Sequence, residues 1–190
     1  MLVPAGLLAS ELPADITELS ASKLSAAIRD RQVSCIEVMQ AYLQRIERYN
    51  PVYNAIVNLA EQDGLLDQAR RADVALDKGE YWGWMHGMPH AVKDLANVED
   101  MITTSGSRIY ANRVATADSS LVASVRGQGA IFIGKTNTPE FGLGSQTYNE
   151  VFGATGSAWN PALTAGGSSG GAACGLGTHM LPVADGSDMM

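Results

Sequence analysis

Hydrophobic residues recur at helical spacing in the first half of the chain. Between residues 20 and 31 the apolar positions follow an i, i+3, i+4 pattern, which places them on one face of a helix. A second segment with helical character extends from about residue 61 to residue 78 and is followed by Gly79, a residue type that often closes helices. The N-terminal part of the chain is therefore predicted to be helical.

Between these segments, a capping box predicts the start of another helix. Ser34 and Glu37 have the spacing at which each side chain accepts a hydrogen bond from the backbone N–H of the other residue. Four apolar residues share one face of the helix that follows: Ile36, Met39, Leu43 and Ile46. The pair Asn50-Pro51 predicts that the helix ends before it, because proline disrupts a helix interior.

After residue 87 the pattern changes to short apolar runs that are typical of buried strands. One run covers residues 90–94, and another, residues 130–133, contains only apolar side chains. A helix capped by residues 118–120 is predicted between them, and a further helix over residues 172–179 precedes a strand-like run at 181–184. Strands that alternate with helices indicate an α/β fold with a largely parallel sheet.

Composition narrows the class of protein. Of the 190 residues, 46% are hydrophobic and 17% charged, which is typical of a globular protein, and the net charge of −7 argues against nucleic-acid binding because phosphate needs a basic surface. Cys35 and Cys174 are too few and too far apart for a disulfide framework, so a cytoplasmic location is expected. No apolar run reaches the length of a membrane span, and residues 1–10 lack the basic start of a signal peptide.

Residues 129–136 match the phosphate-binding P-loop pattern G-x-x-x-x-G-K-[ST]. The four variable residues of a P-loop must form a loop whose N–H groups face the phosphate. Here they are Ala-Ile-Phe-Ile, which favour a buried strand. We therefore interpret the segment as a strand that ends in a polar turn.

Lys93 is the first candidate for catalysis, because it follows the apolar residues of the run at 90–94. A buried lysine loses its charge readily, since removal from water disfavours the ammonium form, and the neutral amine can then act as a base. An exposed lysine at the end of the strand is the alternative, because fully buried lysines are rare.

The serine pair Ser168-Ser169 is the second candidate, and it lies between two glycine pairs at 166–167 and 170–171. Glycine lets other groups approach the backbone closely, which suits an exposed and rigid turn. A serine hydroxyl needs an adjacent base to act as a nucleophile or a proton relay. The alternatives are a flexible linker and a helix N-cap formed by Ser169. Residues 184–190 and His179 carry no independent signal: taken alone, they indicate a C-terminal tail and a surface or helix-end histidine.

Taken together, these segments resemble the amidase signature family. The matching motifs occupy residues 87–94, 103–107, 134–142, 152–155, 160–161 and 164–173. The resemblance extends over nearly the whole chain from about Leu19. It implies an α/β fold with N-terminal helices followed by part of a mixed, largely parallel sheet flanked by helices, so that the amidase signature fold is incomplete. The implied division is a tail at residues 1–18 and the N-terminal part of a single amidase domain at 19–190.

The resemblance also assigns roles to residues. Lys93 corresponds to the catalytic lysine of a Ser–Ser–Lys triad, and Ser168 to the bridging serine, which usually lies on a cis peptide bond in this family. Ser169 and Asp188 would support the lysine. Backbone N–H groups of the last turn, from Met189 and Met190, would form the oxyanion hole.

The nucleophilic serine of the family follows a Gly-[Ser/Thr]-Asp-x-x-Gly-Ser pattern. Residues 186–190 fill its first five places, so the nucleophile would lie at position 192, beyond the 190 residues. On this basis we expect a truncation before the nucleophile, with residues 130–133 poorly covered and the polypeptide insoluble or molten, and inactive, by itself. Two glycines at 175 and 177 also predict an irregular helix behind the serine loop.

The function implied by the resemblance is hydrolysis of a carboxamide C–N bond through an acyl-enzyme. The expected partner is a small-molecule amide, with no cofactor, no metal, no direct nucleic-acid contact and no membrane; a homodimer of the full-length protein stays open. One alternative is the glutaminase component of an amidotransferase, which supplies ammonia to misacylated tRNA. Another is a non-catalytic truncated product.

Overall fold

The computed structural model describes residues 12–188, in which helices surround a small sheet. The α-helices are α1 (Ala21–Arg29), α2 (Cys35–Tyr53), α3 (Gln62–Asp77), α4 (Ser120–Arg126) and α5 (Gly170–Gly177). The strands are β1 (Ile56–Val57), β2 (Pro89–Lys93), β3 (Ile131–Thr136), β4 (Tyr148–Asn149) and β5 (Gly153–Ala154). Three 3₁₀ turns cover Ile16–Glu18, Arg108–Tyr110 and Glu140–Gly142.

The sheet that positions the site has the strand order β1-β3-β2. Strand β3 is parallel to β2 and antiparallel to β1, and the β2 register is irregular between His90 and Ala91. Strands β4 and β5 form a separate antiparallel pair. The predicted α/β class with a mixed sheet is therefore confirmed, although within residues 12–188 the three-stranded sheet has one parallel and one antiparallel pairing.

Strand β3 is buried along its whole length. Ile131 and Ile133 pack with the residues of α2 and α3, whereas Phe132 points to the opposite side, where it contacts Val92, Val98 and Val122. The expectation that residues 130–133 are poorly covered is wrong, since all four are at most 6% exposed. Apolar side chains cover both faces of the central strand.

Helix α2 begins as predicted but ends later. Ser34 and Glu37 form the capping box, and Pro51 lies inside the helix, which ends at Tyr53 with Asn54 in the left-handed conformation. The side chain of Asn50 accepts hydrogen bonds from the backbone N–H groups of residues 55 and 56 and donates one to the carbonyl of residue 56. The additional residues of α2 after Asn50 make these bonds possible, because they turn the chain so that the start of β1 lies beside the Asn50 side chain.

The C-terminal elements differ from the expectation in two ways. Helix α5 is regular through Gly177, because Gly171 and Gly175 allow close packing against the backbone of Asn137 and the side chain of Leu181. Residues 181–184 do not form the predicted strand. They lack ladder hydrogen bonds, and a side chain from the next residue, Asp185, contacts the edge of β2 instead.

The N-terminal segment that the structure describes lies on the core. Leu12 and Ile16 pack against the main hydrophobic cluster, and Asp15 forms an ion pair of 2.8 Å with Arg45 of α2. Residues 1–11 of the expected tail lie outside the described residues. Between residues 12 and 188, no helix combines the length and hydrophobicity required to cross a membrane.

Candidate active site

Lys93 lies at the C-terminal end of β2 with its side chain buried, at 1% exposure. Its Nζ lies within hydrogen-bond distance of the hydroxyls of Ser168 (2.7 Å), Ser169 (3.0 Å) and Ser187 (3.0 Å), and of the carbonyl of Ser187 (3.1 Å). The alternative of an exposed lysine at a strand end is therefore excluded. The structure brings together Lys93, Ser168 and Ser169, as the resemblance implies, and adds Ser187.

The surroundings of Lys93 change its acidity. Burial lowers the pKa of the amine, and the carboxylates of Asp185 and Asp188 oppose this effect without cancelling it. The neutral amine is therefore reached at a lower pH than in a lysine exposed to water. A neutral amine within hydrogen-bond distance of a hydroxyl is suitably placed to accept its proton.

Two threonine side chains form hydrogen bonds to the backbone of the loop that carries Ser168 and Ser169. The Gly167–Ser168 peptide bond is cis, as expected. Thr138 donates its hydroxyl to the carbonyl of Ser168 (3.2 Å), and Thr147 accepts a hydrogen bond from the backbone N–H of Gly170 (3.0 Å). Ser169 is the N-cap residue of α5, but its side chain makes no capping bond and contacts the lysine instead. The alternatives of a flexible linker and of a simple capping serine are therefore disfavoured.

The turn after residue 184 closes the other side of the site. Asp185 accepts the backbone N–H of Lys93 at 3.0 and 3.3 Å, and Ser187 donates its N–H to the hydroxyl of Ser169 (3.1 Å). Asp188 lies close enough to influence the pKa of Lys93. Met189 and Met190, the expected oxyanion-hole residues, lie outside the described residues.

A cavity of about 460 Å³ opens directly above this cluster. Ser168, Ser169, Ser187 and Asp188 are among its lining residues, and Lys93 lies beneath the serines. A carbonyl group that enters this cavity meets the serine hydroxyls, while the amine stays covered. Among the residues that the structure describes, no cluster of three or more His, Cys, Asp or Glu side chains could hold a metal ion.

The segment that imitates a P-loop is a strand, as predicted, but the strand continues through Thr136, so the polar turn expected after residue 133 is wrong. Lys135 is fully buried in β3, where its Nζ donates to the carbonyl of Ala96 (2.5 Å) and the hydroxyl of Thr103 (2.8 Å). Burial lowers the pKa of Lys135 to about 8. Lys135 therefore connects the segment after β2 to the sheet. Because its side chain is fully buried, it is not accessible to a phosphate group.

Three contributors to the site were not predicted as site residues: Asp185, Ser187 and Thr138. Ser187 was visible only as the second place of the family's Gly-[Ser/Thr]-Asp pattern. Asp185 and Thr138 act through the backbone of other residues, a role for which the sequence offers no local signal. His179, by contrast, contacts the carbonyl of Thr17 (3.1 Å) through Nδ1, consistent with a structural role.

Known proteins are similar to this chain in sequence and in fold. The family model described as Amidase matches residues 37–189. The chain is 38% identical to one component of the glutamyl-tRNA(Gln) amidotransferase of Acidothermus cellulolyticus, over 92% of this chain and 34% of that protein. It is also 38% identical to an acylamidase of Rhodococcus erythropolis, over 90% of this chain and 35% of that protein. The chain thus spans about a third of the length of the curated relatives it matches.

Solved structures agree with the sequence matches. A bacterial aryl acylamidase of the amidase signature family superposes with a TM-score of 0.82 and 31% identity, covering 87% of this chain and 34% of that one. The structural match, the family model and the sequence relatives all indicate the same family. The chain therefore belongs to the amidase signature family.

Proposed function

We propose that this chain supplies the base and the proton relay of an enzyme that cleaves carboxamide C–N bonds. The observation that supports this most directly is the buried amine of Lys93, which lies 2.7 Å from the hydroxyl of Ser168 beneath an open cavity. Its lowered pKa makes the neutral, basic form more accessible. The family of the chain and its relatives named as amidases support the same reaction class.

In the proposed reaction, the neutral amine of Lys93 takes the proton of Ser168 while Ser168 takes the proton of an attacking hydroxyl. The oxygen of that hydroxyl bonds to the amide carbon, and the C–N bond then breaks as Ser168 gives a proton to the leaving nitrogen and regains one from the Lys93 ammonium. The products are an ester on the enzyme and free ammonia or an amine. Water then attacks the ester by the same relay and releases the carboxylate.

The attacking hydroxyl belongs, in this proposal, to the serine that the resemblance implies at position 192. Residues 19–190 would form part of one amidase domain, in which Asp188 supports the lysine. The backbone N–H groups of Met189 and Met190 would stabilise the oxyanion. Removal of one oxyanion donor typically costs about 100- to 1,000-fold in rate, so this turn would matter almost as much as the relay.

The proposed substrate class is a small carboxamide. Relatives at nearly equal similarity are named as an acylamidase and as part of an amidotransferase, and this favours one second candidate: release of ammonia to a partner protein that modifies a misacylated tRNA. Both candidates share the steps up to the acyl-enzyme. They differ in whether ammonia leaves to solvent or to a partner.

The test is hydroxamate formation, because hydroxylamine captures an acyl-enzyme and yields a hydroxamate, which forms a coloured complex with added iron(III). The complete protein is incubated with a panel of aliphatic and aromatic carboxamides, together with glutamine. We expect the Lys93→Met and Ser168→Ala variants each to lose about 100- to 10,000-fold in rate, the range typical of acid–base catalysis. If the enzyme cleaves glutamine and none of the other carboxamides of the panel, the amidotransferase candidate is favoured.

Matched control variants separate catalysis from folding. Lys23 and Ser22 lie on the exposed side of α1, so Lys23→Met and Ser22→Ala should keep full activity. Hydroxamate formation by Lys93→Met at the rate of Lys23→Met would refute the proposed base.

A further inference from the structure

His90 is a buried histidine to which the proposed reaction assigns no role. It is 2% exposed in β2, and among the described residues neither ring nitrogen has a hydrogen-bond partner. Its ring stands edge-on to Phe132, with the ring centroids 5.6 Å apart. Buried polar atoms are nearly always paired, so an unpaired imidazole calls for an explanation.

The charged group that faces His90 is the carboxylate of Asp185. The distance from Nε2 of His90 to Oδ1 of Asp185 is 3.6 Å, which makes the contact electrostatic and too long for a hydrogen bond. A neutral imidazole carries one N–H, and a carboxylate opposite Nε2 favours the tautomer with that proton on Nε2. The N–H dipole then points at the carboxylate.

Asp185 in turn connects two parts of the candidate site. Its carboxylate accepts the backbone N–H of Lys93 at the edge of β2. Two residues later, Ser187 contacts the amine of Lys93 through both its hydroxyl and its carbonyl. A shift of the Asp185 carboxylate would therefore move the turn that surrounds the amine.

We propose that His90 is a positioning residue that holds the carboxylate of Asp185 against the backbone N–H of Lys93. The inference rests on the proposed function, because it concerns the geometry around the proposed base. His90 does not touch the reacting atoms: it acts through Asp185 on the strand end and on the turn at residues 186–188. This role explains why a polar ring occupies a position among apolar side chains.

Amide hydrogen exchange in the full chain tests this contact without relying on activity. The measured quantity is the exchange rate of the Lys93 amide divided by that of the Asp94 amide, which bonds to the carbonyl of Thr136 inside the sheet. Changes in global stability affect both amides and cancel in the ratio. We expect His90→Phe to raise the ratio about three- to tenfold, the range for loss of one modest polar contact. His90→Gln, which keeps an N–H donor, should restore most of it.

A second buried histidine provides the control. His86 contacts the N–H of Trp82 and the carbonyl of Ala72, far along the chain from Asp185, so His86→Phe should leave the ratio unchanged. An unchanged ratio in His90→Phe, or equal increases in His90→Phe and His90→Gln, would overturn the inference. In the complete enzyme, His90→Phe should lower kcat about three- to tenfold with little effect on KM. The proposed function is tested by a different result: it is refuted if Lys93→Met keeps its activity, whatever the hydrogen-exchange ratio of the His90 variants.

Discussion

At the scale of single residues, the environment of the Lys93 amine decides what the site can do. Burial lowers the pKa of the amine, and Asp185 is the first of the two carboxylates that raise it. Because the base must be neutral to accept a proton, activity should rise as the pH passes through this pKa and then reach a plateau.

Removal of the Asp185 charge should move this rising limb. Asp185→Asn removes the larger of the two negative charges that raise the pKa of Lys93, so this pKa falls further. The rising limb of the kcat/KM profile then shifts to lower pH, whatever the height of its plateau. A pH profile of kcat/KM measures this directly. The exposed Asp30→Asn serves as the control, with an unchanged limb. A limb that stays in place or moves to higher pH in Asp185→Asn would contradict the account.

Ser169 should matter less than Ser168. Its hydroxyl contacts the amine of Lys93 and bridges to the backbone of Ser187, whereas the resemblance assigns the proton relay to Ser168 and only support of the lysine to Ser169. Lys93 becomes an ammonium when it accepts the proton, and loss of one hydrogen bond to that charge predicts a fall in kcat of about 10- to 100-fold for Ser169→Ala. Steady-state kinetics with the same carboxamide ranks the two variants. A loss in Ser169→Ala equal to that in Ser168→Ala would make Ser169 a full partner in the relay.

Local sequence predicted these residues unequally. The serine loop was recognisable from its glycines, and the resemblance paired it with Lys93. The burial of Lys93 was not predictable from its strand, since the hydroxyls around its amine come from residues 75 to 94 positions later in the chain. His90 and Asp185 were missed because a histidine in an apolar run and an aspartate in a polar turn have no local feature that indicates a contact.

At the scale of elements, the N-terminal helices were predicted well, whereas the end of α2 and the C-terminal strand were predicted less well. Amphipathic spacing and the capping box are local, so α1, α2 and α3 followed from the sequence. The end of α2 and the absence of a strand at 181–184 depend on contacts across the fold, with β1 and with the edge of β2.

Gly171 is the glycine of helix α5 that lies closest to the backbone of another segment. A Cβ at Gly171 would overlap the backbone of Asn137, which has no freedom to move, so Gly171→Ala should destabilise the protein by about 2–4 kcal/mol. Gly64 in α3 has open space around it, and Gly64→Ala should stabilise by about 0.5–1 kcal/mol. Urea unfolding compares the two. Equal small effects would mean that α5 does not pack as described.

Strand β3 places a second lysine in the core, and this has a consequence for stability. The pKa of Lys135 is about 8 in the folded protein, against about 10.5 when exposed, so between these values the unfolded state binds more protons and folding becomes more favourable as pH rises. The Lys135→Met variant has no amine at this position, so its free energy of unfolding lacks this pH-dependent contribution. The stability of the native protein relative to Lys135→Met should therefore increase by about 1.4 kcal/mol per pH unit in this window. A difference that stays constant across the window would contradict the burial of a titrating amine.

At the scale of the whole molecule, the fold brings distant parts of the chain to one edge of the sheet. The parallel pairing of β2 with β3 sets the end of β2, helix α5 holds the serine loop, and the turn after residue 184 closes over Lys93. The open cavity lies above this junction. Because the chain spans about a third of its relatives, the activity we propose is that of the complete protein.

The most direct test of the central claim is to titrate the Lys93 amine itself. The carbon next to Nζ reports protonation by NMR in protein labelled with ¹³C-lysine, and Lys93→Met identifies the signal. We predict a midpoint below the ordinary lysine value that coincides with the rising limb of kcat/KM. A Lys93 that titrates at or above the ordinary value, in a protein fully active at neutral pH, would contradict its role as the base.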